Sequence, residues 1–111
     1  MIHFIASPNK DKKPLVFIHG IASTSEIFIN QIKEFEKDYY VLSIDLPGFG
    51  KSKMLKKTSI YNYANEIYNF LISNKIKKPI LIGHSLGGMI VQKIITQHLN
   101  YAKAAILIAT S

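Results

Sequence analysis

The stretch Pro79-Ile80-Leu81-Ile82-Gly83-His84-Ser85-Leu86-Gly87-Gly88-Met89 decides how the chain is read. Pro79 opens a short apolar run at 80–82 and Gly83 closes it, which reads as a buried strand. Downstream, Met89, Ile90, Val91, Ile94 and Ile95 make residues 86–99 apolar nearly all round, which predicts a deeply buried helix. Between strand and helix stands Gly83-x-Ser85-x-Gly87. A serine on so sharp a strand-to-helix turn takes a strained backbone conformation and points its hydroxyl out of the sheet. Side chains two residues to either side would collide with that turn, which accounts for the two glycines. The free N–H groups and positive end of the following helix favour an oxyanion at this point. Ser85 is therefore the candidate nucleophile.

Working outward, the same alternation repeats. Leu15-Val16-Phe17-Ile18, Tyr39 to Ile44 and Ala104 to Ala109 are further apolar runs. None alternates apolar with polar, the habit of strands buried on both faces of a parallel sheet. Helices are expected near 25–37, where Phe28, Ile32 and Phe35 recur behind a Ser23-x-x-Glu26 capping box, and near 59–74. The second would bury Tyr61, Ala64, Tyr68 and Leu71, with Ile60, Ile67 and Ile72 beside them. Residues 2–6 offer a further short strand, and 51–57 an exposed loop. The order β-α-β-α-β-α-β gives an α/β fold of three layers, α/β/α, around a mostly parallel sheet.

Composition narrows the classes of function. The chain has 111 residues, 48% of them hydrophobic and 19% charged, as in an ordinary globular domain. It contains no cysteine, which excludes disulfide frameworks, thiolate zinc sites and cysteine nucleophiles. No apolar run approaches the roughly 20 residues of a membrane-spanning helix, and the N-terminus does not resemble a signal peptide. A cytoplasmic protein with no membrane association is expected. The net charge of +7 comes wholly from lysine, in scattered short groups. Without arginine, the residue that reads guanine and phosphate bidentately, nucleic acid is not an expected partner. No cluster of His or carboxylate has ligand spacing, so neither metal nor cofactor is expected.

Two other segments bear on chemistry. In Leu15-Val16-Phe17-Ile18-His19-Gly20-Ile21, Gly20 permits a tight turn at the end of the strand and exposes backbone N–H groups. An oxyanion needs two donors about 3 Å away. Leu86, just after the serine, would supply one and Ile21 the other, while His19 props the loop through hydrogen bonds. In Asp45-Leu46-Pro47-Gly48-Phe49-Gly50-Lys51-Ser52, the last three residues imitate the end of a phosphate-binding loop. The first glycine of that motif is replaced by Asp45, so nucleotide binding is set aside and Asp45 is read as a turn residue.

These three segments, in this order and spacing, make the chain resemble the α/β-hydrolase superfamily, in its single-domain serine-esterase-like branch. The resemblance implies a nucleophile at Ser85 within Gly83-His84-Ser85-Leu86-Gly87-Gly88, and an oxyanion hole from the backbone of Ile21 and Leu86. It implies that strand 15–18 lies between 39–44 and 80–82, so that Ser85 and Ile21 meet at a topological switch point. The implied substrate is a small-molecule carboxylic ester or thioester, hydrolysed through an acyl-enzyme.

The departure from the family concerns the triad, whose acid and histidine follow the serine. After Ser85 the chain has no Asp or Glu, and its one later histidine, His98, lies about 20 Å along the helix. His84 stands at a variable position of the motif and His3 at the far end of the chain. Residues 1–111 are therefore expected to be an incomplete domain, the N-terminal portion of such a hydrolase, inactive by itself. An uncovered sheet edge would favour association with the C-terminal portion or with itself. Two alternatives keep the same fold: an acyltransferase or perhydrolase using the same serine, and a non-catalytic module that binds a small molecule or partner.

Overall fold

Strand β2 (Lys13–Ile18) forms the middle of the sheet, with β3 (Tyr39–Ile44) on one side and β4 (Ile80–His84) on the other, both parallel to it. The structure, a computed structural model, describes residues 2–21 and 23–110. β5 (Ala104–Ile108) continues the parallel run beside β4, and β1 (Phe4–Ala6) closes the other edge antiparallel to β3. The strand order is β1-β3-β2-β4-β5.

The apolar runs divide between two faces because successive strand side chains point opposite ways. Val16 and Ile18 join Leu42, Ile44 and Leu81 beneath helices α2 (Ile60–Ser73) and α3 (Leu86–Gln97). Leu15 and Phe17 join Val41 and Ile82 beneath Phe28 and Ile32. Each buried side chain of this kind contributes about 1.5–3 kcal/mol. The fold is the expected three-layer α/β arrangement, with the central strand where it was placed.

The first helical segment differs from expectation. Residues 25–37 form a 3-10 turn, Ser25–Phe28, followed by a short helix α1, Ile29–Phe35. The cap is Thr24, whose hydroxyl accepts the N–H of Glu26 at 3.2 Å, rather than a Ser23–Glu26 box. A distant residue sets this start: the Asp45 carboxylate accepts the Ser25 N–H at 2.6 Å.

Helix α2 is capped by Ser59, which accepts the N–H of Asn62 at 3.0 Å. Its buried stripe is Tyr63, Ala64, Ile67 and Leu71, whereas Tyr61 and Ile72 are exposed. Tyr61 lies three residues before Ala64 and Tyr63 four before Ile67, so spacing alone does not choose between them. Helix α3 buries Ile90, Val91 and Ile94 but leaves Met89 exposed, so it is covered on one side only.

The largest correction is β5. Every residue of it is exposed, including Ile106 (50%), Leu107 (43%) and Ile108 (44%). Its apolar run resembles those of β2 and β4, but among the described residues it pairs with a neighbour on one side only. The loop at 51–57 is largely exposed as expected, except Ser52, which is buried.

Candidate active site

The strand–helix turn has the strain that its sequence requires. Ser85 adopts φ 56° and ψ −118°, outside the regions favoured by residues with a side chain. Its neighbours hold it there. The Ser85 N–H donates to the carbonyl of Ile108 at 2.9 Å, and the Ser85 carbonyl accepts the hydroxyl of Thr110 at 3.0 Å. The same carbonyl receives the N–H of Gly88 at 2.9 Å and of Met89 at 3.3 Å, which starts α3. The turn is thus bound at both its backbone groups to the end of β5. The role of Thr110 was not legible in the sequence, because it sits 25 residues from its partner.

The three glycines are explained by close approach of neighbouring atoms, backbone for two and a side chain for the third. A Cβ on Gly83 would lie 2.4 Å from the Gly87 carbonyl oxygen, which is the collision inside the turn. A Cβ on Gly87 would lie 2.1 Å from the carbonyl oxygen of Ile18 and 2.7 Å from that of His19. The second glycine therefore makes room for the end of β2, not for the turn itself. A Cβ on Gly88 would lie 2.6 Å from the side chain of Thr110.

This packing brings the loop after β2 against the serine. A Cβ on Gly20 would stand 3.1 Å from the Cβ of Ser85 and 3.5 Å from Nδ1 of His84. Ile21, next in the chain, lies in a turn and is 68% exposed; Ala22 lies outside the described residues. Leu86 is the first residue of α3, and its N–H has no partner within the helix. Ser85, His84 and Leu86 are half-buried. The Ser85 hydroxyl has no hydrogen-bond partner among the described residues.

His19 is buried completely and does not address the serine. Its Nδ1–H donates to the carbonyl of Gly20 at 2.7 Å, and its Nε2 accepts the N–H of Leu46 at 3.0 Å. Both ring nitrogens are used by a neutral imidazole. Burial pushes its pKa down, against smaller upward pulls from the Gly20 carbonyl and Asp45.

Asp45 serves as the knot of the neighbouring loop. Its carboxylate accepts the N–H of Ser25 at 2.6 Å, the N–H of Lys51 at 3.1 Å and Nδ1–H of His3 at 2.7 Å. Ser52 donates its hydroxyl to the Asp45 carbonyl at 2.6 Å and accepts the N–H of His3 at 2.8 Å. Burial raises the carboxyl pKa, but these hydrogen bonds outweigh it and leave the net value below the ordinary one. The donors that a phosphate would need at Lys51 and Ser25 are occupied by this carboxylate. His98 is also engaged elsewhere, stacked on Tyr68 with ring centroids 3.5 Å apart. Among the described residues no group of His, Cys, Asp or Glu could hold a metal.

The sequence pattern of the alpha/beta hydrolase fold matches residues 13–111. The chain belongs to the α/β-hydrolase family. It is 34% identical to a pimeloyl-[acyl-carrier protein] methyl ester esterase of Pseudoalteromonas atlantica over 98 residues, 86% of this chain and 36% of that one. It is 34% identical over 85 residues to the uncharacterized hydrolase YugF of Bacillus subtilis, covering 74% of this chain and 31% of that one. Among solved structures, N-acyl homoserine lactonase AidH complexed with N-butanoyl homoserine superposes with a TM-score of 0.90 and 29% identity. It covers 98% of this chain, which corresponds to 41% of the lactonase. The chain thus spans well under half the length of these α/β-hydrolase relatives, and they are esterases, lactonases or hydrolases by name. Among the described residues no helix is long and apolar enough to cross a membrane.

Proposed function

We propose that Ser85 is the nucleophile of a serine hydrolase acting on small-molecule carboxylic esters or thioesters. The observation that carries this reading is the strained backbone of Ser85, held between β4 and α3 with its hydroxyl free of partners among the described residues. Attack of Oγ on the acyl carbon forms a tetrahedral oxyanion. The N–H groups of Leu86 and Ile21 stabilise it, helped by the positive end of α3. Collapse expels the alcohol or thiol and leaves an acyl-serine, which water then hydrolyses to the carboxylic acid.

The reaction needs a base to take the serine proton, and among the described residues no side chain is hydrogen-bonded to the Ser85 hydroxyl. His19 is locked neutral in the loop, His98 is stacked on Tyr68, and no carboxylate follows Ser85. A hydroxyl without an adjacent base is a weak nucleophile. Residues 1–111 by themselves are accordingly a very poor catalyst, and the full reaction requires an acid and a base that they do not hold against Ser85.

Imidazole added in solution supplies the missing base. The test is p-nitrophenyl acetate with and without imidazole, read by peptide mass mapping of the acetyl adduct. The expected result is an adduct at Ser85 that increases with imidazole and is absent in Ser85→Ala. Adducts confined to lysines, with none at Ser85, would overturn the reading and favour a non-catalytic module.

A further inference from the structure

A cavity of about 640 Å³ opens at the opposite end of the sheet from Ser85. It lies between the start of β2 and β3, the chain after β1, and the turn that follows α2. Pro14 in its wall lies near the start of β2 and Gly20 beside the serine lies just after its end, at most about 20 Å of chain apart. Its volume falls within the range of about 300–1,000 Å³ that small-molecule sites occupy.

Its lining combines an apolar body with a cationic rim. Phe4, Pro8, Pro14 and Ile76 supply the apolar wall. Lys10, Lys12, Lys75 and Lys77 surround it, and no Asp or Glu lines it. Lys12 is committed, since its ammonium donates to the carbonyls of Glu36 (3.3 Å) and Lys37 at the end of α1. Lys10, Lys75 and Lys77 make no ion pair among the described residues.

Tyr40 supplies the second observation. It lines the cavity and is only 7% exposed, yet its hydroxyl has no hydrogen-bond partner among the described residues. That oxygen is not sealed from solvent, since no fully buried side-chain polar atom is left unpaired among those residues. Tyr40 is thus a lining residue whose hydroxyl keeps an open hydrogen-bonding valence. Burial raises the phenol pKa, so the hydroxyl is a proton donor at neutral pH.

We propose that this cavity binds an amphipathic organic anion, its apolar body against Phe4 and Ile76 and its carboxylate held by the Tyr40 hydroxyl and the unpaired lysines. The site is independent of the chemistry assigned to Ser85. An unpaired phenol donor in the lining of a hollow with an apolar wall and a lysine rim, and with no carboxylate, is complementary to an organic anion rather than to a cation.

The probe is sodium octanoate, titrated into the 111-residue chain and followed by backbone amide shifts, with octanol as the uncharged counterpart. Saturable shifts around Tyr40, Ile76 and Lys77 are expected, with octanol at least about tenfold weaker. Tyr40→Phe keeps the ring and is expected to weaken octanoate about tenfold, as is the exposed pair Lys75→Gln/Lys77→Gln. Ser85→Ala is expected to leave the titration unchanged. Equal binding of octanoate and octanol, indifference to both variants, absence of saturation, or shifts centred on β5 or Ser85 would each overturn the proposal.

Discussion

The N–H of Leu46 donates to Nε2 of His19 across 3.0 Å, joining the loop after β3 to the loop after β2. With Nδ1–H fixed on the Gly20 carbonyl, the ring must stay neutral to keep both bonds. His19 thus holds Gly20 in place, and Gly20 is the residue that packs against Ser85.

A pH dependence follows from this. Burial lowers the folded-state pKa of His19 below its unfolded value of 6.5. The unfolded chain therefore binds more protons between the two values. The stabilisation is complete above about pH 6.5 and is lost progressively as pH falls from there to the lowered folded value. Urea unfolding at pH 8 and pH 5.5 is expected to show this loss. In His19→Gln the pH dependence across that window is expected to shrink, while stability at pH 8 falls by about 1–3 kcal/mol for the unmet Leu46 N–H. The Asp45 carboxyl, its pKa lowered in the fold, loses its contribution only below its ordinary value of 3.8, a separate window.

Gly87→Ala is expected to be the most damaging of the glycine substitutions. Its Cβ meets carbonyl oxygens of β2 and the loop after it at 2.1 and 2.7 Å, and backbone cannot step aside as a side-chain tip can. The cost should exceed the about 1–3 kcal/mol of ordinary overpacking. Gly20→Ala, with a nearest contact of 3.1 Å, should cost much less. Calorimetric melting of both variants checks the order.

Ser85→Gly is expected to raise stability by about 1 kcal/mol, because glycine tolerates φ 56° and ψ −118° where serine is strained. Ser85→Ala retains the Cβ and should not. Both abolish acetylation at this position. Denaturant midpoints of the two variants separate relief of strain from loss of the hydroxyl.

The exposed side chains of β5 predict concentration-dependent self-association. Sedimentation over a hundredfold range of concentration should show it. Ile106→Lys is expected to return the chain to monomer with little effect on melting, since that residue is already 50% exposed.

The sequence was most legible where a strand lies inside the sheet. Runs at 15–18, 39–44 and 80–82 gave β2, β3 and β4 because continuous apolar residues are needed where both faces are covered. The turn at Ser85 was legible because its constraint is local: two glycines and a serine within five positions. What escaped depends on residues far apart in the chain. Asp45 reaches back to Ser25 and converts the start of the first helix into a 3-10 turn. Thr110 reaches the carbonyl of Ser85, and β5 is apolar but exposed because its outer side has no neighbour among the described residues. Composition carries no trace of such pairings.

The fastening of Ser85 to Ile108 and Thr110 also sets a timetable. A growing polypeptide that has emerged only through α3 possesses the serine but neither of the two groups that bend it into shape. Release of residue 110 from the ribosome is the earliest moment at which that hydroxyl can be presented.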